Sequence, residues 1–386
     1  MSHTLAHGHA DPRFQETVAA FEAGFRAGRD VGAAVAVVVD GKVVVDVWGG
    51  HIDRKNTQPW QQNTLCCMFS ISKAVSSICL LQAVSQGHLS LNTHIVDVWP
   101  EFAPHNKANA TVTDLLSHRI GLVGFRQPVP KDVYYHWDDV CQRLADEVPW
   151  WTPGEKHGYH ARTLGFLTGE VLKRTTGKTV GQWLTQNIAT PAGFDLHIGL
   201  NNSDLGRCAD MLPARVQLGA QKTWPEPMQR MLNNMNNLQT PTGAAFQNPS
   251  LPPRYMNSPE FRLAQIPALN GHGTATSVAR LMAAVPELLS SDVYHSAIQT
   301  HSYGPDEVLK STTRFGLGLM LHDSESPIGI RPGSYGHAGA GGSMAFYDPD
   351  AKLGFAFLMN QMQEGVVTGG TSAMHIARTA YECLEK

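Results

Sequence analysis

The sequence predicts an α/β protein in which one antiparallel sheet, flanked by helices, is built from both ends of the chain and interrupted by a mainly helical insertion. Three observations carry that expectation. Strand-like runs joined by tight turns lie near each terminus, a long apolar helix follows the first pair, and strand-like runs are scarce between Gly87 and Pro267. At 386 residues the chain can bury a large core.

In chain order, His3, His7 and His9 sit in a polar stretch that reads as a mobile tail rather than a metal site. A helical stretch from about Pro12 to Arg29 follows. Val31–Val39 and Lys42–Trp48 then flank Asp40-Gly41, a strong hairpin signal because Gly tolerates the positive φ of a two-residue turn. Both arms are nearly continuous apolar runs, which predicts burial on both faces of the sheet. From Ser70 an apolar helix runs to Gly87, a natural C-terminal stop. In the middle of the chain, Thr163–Thr176 and Thr179–Asn187 read as helices. Asn233–Arg254, rich in Asn, Pro and Thr, reads as a long irregular loop. A second hairpin pairs Ser343–Tyr347 with Leu353–Met359 across Asp348-Pro349-Asp350, and a helix from Ser372 to Leu384 closes the chain. Two units are therefore expected: residues 1–86 with 268–386 as a discontinuous sheet domain, and 87–267 as a mainly helical domain with long loops. The active site would lie between them.

A net charge of −3 gives no electrostatic reason to expect nucleic acid or an anionic membrane as partner. No apolar run is long enough to span a bilayer. The six cysteines, Cys66, Cys67, Cys79, Cys141, Cys208 and Cys383, show no paired metal spacing, and neighbours in sequence such as Cys66 and Cys67 cannot form an ordinary disulfide. The N-terminal stretch lacks the charged, apolar, small-residue order of a secretory signal. Together these predict a cytoplasmic protein, and no metal or cofactor is expected.

Three elements can carry chemistry. Ser70 and Lys73 form S-x-x-K: residues three apart share a helix face, and Ser70 would sit at the helix N-terminus, where free N–H groups favour developing negative charge. A helix cap followed by an exposed Lys has the same spacing, but here the Lys is embedded in an apolar helix. Second, Pro153-Gly154-Glu155-Lys156-His157-Gly158-Tyr159-His160-Ala161 delivers Tyr159 just ahead of a helix. A phenol held near an ammonium is pulled below its free pKa and can serve as a base, although a Tyr packed at a helix start reads the same way. Tyr134 and Tyr135 compete but lack the turn. Third, Gly336-His337-Ala338-Gly339-Ala340-Gly341-Gly342 precedes a strand. Small residues there admit a substrate close to backbone N–H groups, or mark a bulged strand edge.

Taken together, these elements resemble the serine β-lactamase and D,D-peptidase superfamily, and most closely the class C β-lactamase-like carboxylesterases known as family VIII esterases. Thr111–His118 with Gly121-Leu122 and Gly271–Arg280 are similar to further family stretches, so the resemblance runs from about Gly32 to Cys383. It implies a β-lactamase/D,D-peptidase-like fold and an acyl-enzyme on Ser70, with Lys73 as its proton partner and Tyr159 as the base for acylation. It also implies an oxyanion hole from the backbone N–H groups of Ser70 and Ala340, with His337 and Gly339 beside the substrate. Trp151, Trp150 and Phe125 are candidates for an apolar pocket. Two departures stand out. Ala161 replaces the family's Asn, which binds an acylamino substituent. His337 replaces a Lys suited to a β-lactam carboxylate, and an imidazole is largely neutral at pH 7. Both predict uncharged esters as substrates. Amide or β-lactam hydrolysis, acyl transfer, and a non-catalytic scaffold of the same fold are the competing expectations.

Overall fold

The computed structural model describes residues 5–215, 224–252, 254–364 and 370–386. Its centre is a nine-stranded sheet in which every neighbouring pair is antiparallel. From the start of the chain come β1 (Ala6–Ala10), β2 (Gly32–Val39) and β3 (Lys42–Gly50). A short β4 (Cys66–Cys67) pairs with β6 (Gly271–Gly273), which also takes β5 (Leu196–Ile198), to make a separate three-stranded sheet. The large sheet resumes with β7 (Ser302–Pro305), β8 (Thr312–Phe315), β9 (Met320–Leu321), β10 (Tyr335–Ala338), β11 (Met344–Asp348) and β12 (Leu353–Met359). Its spatial order is β1-β3-β2-β12-β11-β10-β9-β8-β7, so β2 from one end of the chain pairs directly with β12 from the other.

Side-chain alternation sorts this sheet between two cores. Ala34, Ala36 and Val38 of β2, with Ala356 and Leu358 of β12, face the Ala275–Leu288 helix and helix α2 (Ile71–Ser85). Val35, Val37, Phe355 and Phe357 face the opposite way, toward α1 (Gln15–Arg26) and the Thr371–Leu384 helix. Small residues on the first face let a helix approach closely: a Cβ on Gly354 would lie 2.7 Å from the Ala279 carbonyl oxygen. The β2–β3 turn has positive φ at both Asp40 (48°) and Gly41 (75°), as a type I′ hairpin requires. Residues 71–84 of α2 are all buried, and the helix ends at Gly87 with φ 80°. No helix among the described residues is long and apolar enough to cross a membrane.

Several sequence expectations need correction. His7 and His9 are not in a tail but on edge strand β1, paired with Trp48 and Asp46; the Glu22 carboxylate accepts the N–H groups of Leu5 and Ala6 and so ties the segment down. His3 lies outside the described residues. The stretch 233–254 is not one irregular loop: it holds the end of the Glu226–Met235 helix and the whole Pro241–Gln247 helix, whose Thr240 side chain caps the Gly243 N–H. Cap chemistry outweighed the polar composition there. Burial on both faces holds for β2 but not for β3, where buried Val45 and Val47 alternate with partly exposed Val44, Asp46 and Trp48. The small sheet was not foreseen, since strands of two or three residues leave no periodic signal.

Asn360 joins the two chain ends. Its Oδ1 accepts the Gly32 N–H at 2.9 Å and its Nδ2 donates to the His51 carbonyl at 3.0 Å, fully buried. Asn360→Leu is therefore expected to leave two buried backbone groups unpaired, at about 1–3 kcal/mol each. Urea unfolding followed by tryptophan fluorescence should show a clearly lower midpoint, and an unchanged midpoint refutes this account.

Candidate active site

The first turn of α2 begins from a strained residue. Phe69 has φ 46°, a left-handed backbone that costs a non-glycine residue about 1–3 kcal/mol. Ser72 holds it there, since its hydroxyl donates to the Phe69 carbonyl and accepts the Gly271 N–H at 2.8 Å. This stitches the helix start to β6. Ser70 occupies the N-cap and is 9% exposed, so its hydroxyl is at the rim of a closed site rather than on the surface.

Lys73 is fully buried one turn on. Its Nζ lies 2.9 Å from Ser70 Oγ and donates to the Ala268 carbonyl at 3.0 Å. No salt bridge among the described residues involves it. Burial, and then the Arg162 guanidinium, push its pKa well below the ordinary 10.5. A buried ammonium without a counter-charge gives up its proton rather than stay charged. Arg162 is itself held by the carbonyls of Pro249 and Phe246.

Tyr159 reaches the same place from a segment 86 residues beyond Lys73 in the chain. Its phenol lies close enough to the Ser70 hydroxyl to feel it, and Lys73 Nζ lies 4.8 Å from its ring centroid. The structure thus brings Ser70, Lys73 and Tyr159 together; Tyr134 is elsewhere, hydrogen-bonded to the Asn248 carbonyl. The expected drop in the phenol's pKa is overturned. Burial pushes it above its ordinary 10.0, outweighing the nearby Ser70 hydroxyl, which pulls it down.

The β10–β11 turn forms the opposite wall. The Gly339 N–H donates to the Ser343 carbonyl at 2.7 Å, and Gly341 and Gly342 take φ of 84° and 121°. A Cβ on Gly339 would sit 2.6 Å from the Met68 carbonyl oxygen, two residues before Ser70, so only glycine permits this approach. Among the described residues no acceptor takes the backbone N–H of Ser70 or of Ala340. His337 is 2% exposed on β10, 6.0 Å ring to ring from Tyr159. Its Nδ1 lies 2.7 Å from the Ala338 carbonyl and so carries the proton, leaving Nε2 buried without a partner. Burial, followed by Lys73, lowers its pKa to about 3, so the imidazole is neutral.

The pocket residues fall differently. Phe125 is 1% exposed and packs within the larger core. Its aromatic bulk serves packing, as most buried rings do. Trp151, 7% exposed, donates from Nε1 to the Arg119 carbonyl at 3.0 Å and backs the Tyr159 loop, where a Cβ on Gly158 would come within 2.7 Å of its ring. Trp150 pairs with the Arg126 guanidinium, 3.9 Å over its ring. Sequence reasoning missed Ser72, Arg162, His118 and Asp306. Ser72 carried a signal, being a hydroxyl inside S-x-x-K; the others act across long stretches of chain. No group of three or more His, Cys, Asp or Glu among the described residues could hold a metal ion.

Comparison with known proteins adds an independent line. A family model described as Beta-lactamase matches residues 17–377. A protein of Mycobacterium tuberculosis described as esterase/beta-lactamase LipL is 30% identical, covering 97% of this chain and 88% of its own length. A crystal structure of a family VIII carboxylesterase superposes with a TM-score of 0.88 at 32% identity, covering 98% of this chain and 99% of the other. A penicillin-binding protein homolog from Caulobacter crescentus gives 0.88 at 33% identity, with the same coverage.

If Lys73 is the base for Ser70, it must be deprotonated to act, so the reaction is lost as pH falls through its depressed pKa and is fully present above it. The rate of Ser70 labelling by a fluorophosphonate should therefore reach its plateau well below pH 10.5. A rate still climbing through pH 10 rules out a free amine at neutral pH.

Proposed function

The chain belongs to the beta-lactamase family, and from that premise we propose that it is a carboxylesterase-type serine hydrolase that cleaves small-molecule esters through an acyl-enzyme on Ser70. The observation that carries this reading is the Lys73 side chain, fully buried with no salt-bridge partner among the described residues, 2.9 Å from Ser70 Oγ.

In acylation the Ser70 oxygen attacks the ester carbonyl while its proton passes to Lys73 Nζ. The backbone N–H groups of Ser70 and Ala340 take the developing oxyanion; one such donor is worth about 2.7–4 kcal/mol. The Tyr159 phenol stays neutral and acts as a relay: it protonates the departing alkoxide and recovers its proton from the Lys73 ammonium. Water then attacks the acyl-enzyme along the reverse proton route, releasing the acid and Ser70. The site would lie between the sheet-bearing segments 1–86 and 268–386 and the mainly helical segment 87–267.

Two features favour uncharged esters over β-lactams. Neutral His337 offers no cation to a substrate carboxylate, and buried Ala161 offers no amide to an acylamino group. Gly339 lets the substrate lie along β10. The six cysteines are unpaired and buried, which suits a reducing compartment, and we place the protein in the cytoplasm.

The test is a panel of p-nitrophenyl esters of rising chain length alongside a chromogenic cephalosporin. Ester turnover is expected to dominate; fast cephalosporin turnover with slow ester turnover overturns the substrate assignment. A fluorophosphonate should label the wild type and not Ser70→Ala, and absence of labelling in both would make the protein a non-catalytic member of the family.

A further inference from the structure

The loop that carries Tyr159 is gripped at three consecutive peptide groups. The Gly158 N–H donates to the His118 carbonyl at 3.1 Å, the Tyr159 N–H to Asp306 Oδ1 at 3.1 Å, and the His160 N–H to His118 Nδ1 at 3.1 Å. Two residues from distant segments thus hold the phenol's own backbone and both its neighbours.

His118 is an unusual residue in this role. It has φ 61°, the left-handed region, although it is not glycine, and it offers both its carbonyl and its ring nitrogen to the same loop. Such a conformation persists only where its surroundings impose it, and it concentrates at functional sites. The ring lies 5.3 Å from that of Tyr159 and 4.5 Å from Phe315, which stacks on Tyr159 from 6.2 Å. Burial, and then His160, push the imidazole's pKa well down, so Nδ1 keeps the lone pair it needs to accept. Asp306 is fixed in turn: it accepts the N–H groups of Val308 and Leu309 at 2.8 Å each and the Thr313 hydroxyl at 3.2 Å. Thr313 also meets His157 Nε2 at 2.9 Å, one residue ahead of the gripped stretch.

We infer that His118 and Asp306 are positioning residues that set the place of the Tyr159 phenol against Ser70 and Lys73. The inference rests on the reading of Tyr159 as the proton relay. Neither residue touches the reacting atoms. They act by removing the loop's freedom to slide, and a reacting group displaced by about 1 Å can lose on the order of 100-fold in rate.

Steady-state kinetics on a p-nitrophenyl ester test this in the full-length protein, with circular dichroism to confirm folding. His118→Ala is expected to lower kcat by about 10- to 100-fold with KM within about threefold. His118→Asn, which tolerates the left-handed backbone and keeps a side-chain acceptor, should recover most of that loss. Added to Tyr159→Phe, His118→Ala should cost less than about twofold more, because the phenol it positions is gone. If His118→Ala costs its full factor in the Tyr159→Phe background, or if His118→Asn is as impaired as His118→Ala, the positioning role is overturned. Should His118→Ala not fold, Asp306→Ala is read in the same way against Tyr159→Phe. A Tyr159→Phe variant with wild-type kcat instead overturns the relay reading itself, and the inference with it.

Discussion

A lysine with no counter-charge, sealed beneath the nucleophile, is the constraint around which the site is arranged. Burying an ammonium is far costlier than burying an amine, so burial pushes Lys73 toward its uncharged form. That requires α2 to be covered along its length, which the Leu164–Thr176 helix, strands β10 and β6 and the Ser291–Ile298 helix together provide. It also requires a hydrogen-bond acceptor for an N–H of the side chain, supplied by the Ala268 carbonyl. The packing of the fold and the basicity of the site are one requirement seen from two directions.

Burial acts in the same sense on the neighbours of Lys73. It is the leading cause that raises the pKa of the Tyr159 phenol and lowers those of the His337 and His118 imidazoles. The result is a cluster in which burial disfavours charge on each of these side chains. A neutral imidazole in place of a lysine removes the one fixed charge that would have attracted an anionic substrate.

Rigidity is placed around Ser70 and Tyr159. Phe69 and His118 both hold left-handed backbones without being glycine, one just before Ser70 and one against the Tyr159 loop. Gly339 admits the β10–β11 turn to within contact of the Met68 carbonyl. Each is a local cost accepted because the surrounding hydrogen bonds over-determine the position.

Much of this was legible in the residues themselves. Nearly continuous apolar runs, an Asp-Gly turn and a long apolar helix marked the sheet at both chain ends and α2, because these signals are local and extend over several residues. The S-x-x-K spacing placed the amine on the hydroxyl's face of the helix for the same reason. What only the tertiary structure decided depends on contacts between distant segments. The direction of the Tyr159 and Lys73 pKa shifts follows from how completely both are covered. The roles of Asp306 and Arg162 follow from folding that brings them beside residues far away in sequence. His7 and His9 became part of a strand because Glu22 and β3 supplied partners that a polar stretch does not announce. Covalent neighbours set which side chains share a face; burial, which belongs to the whole molecule, sets what charge those side chains carry.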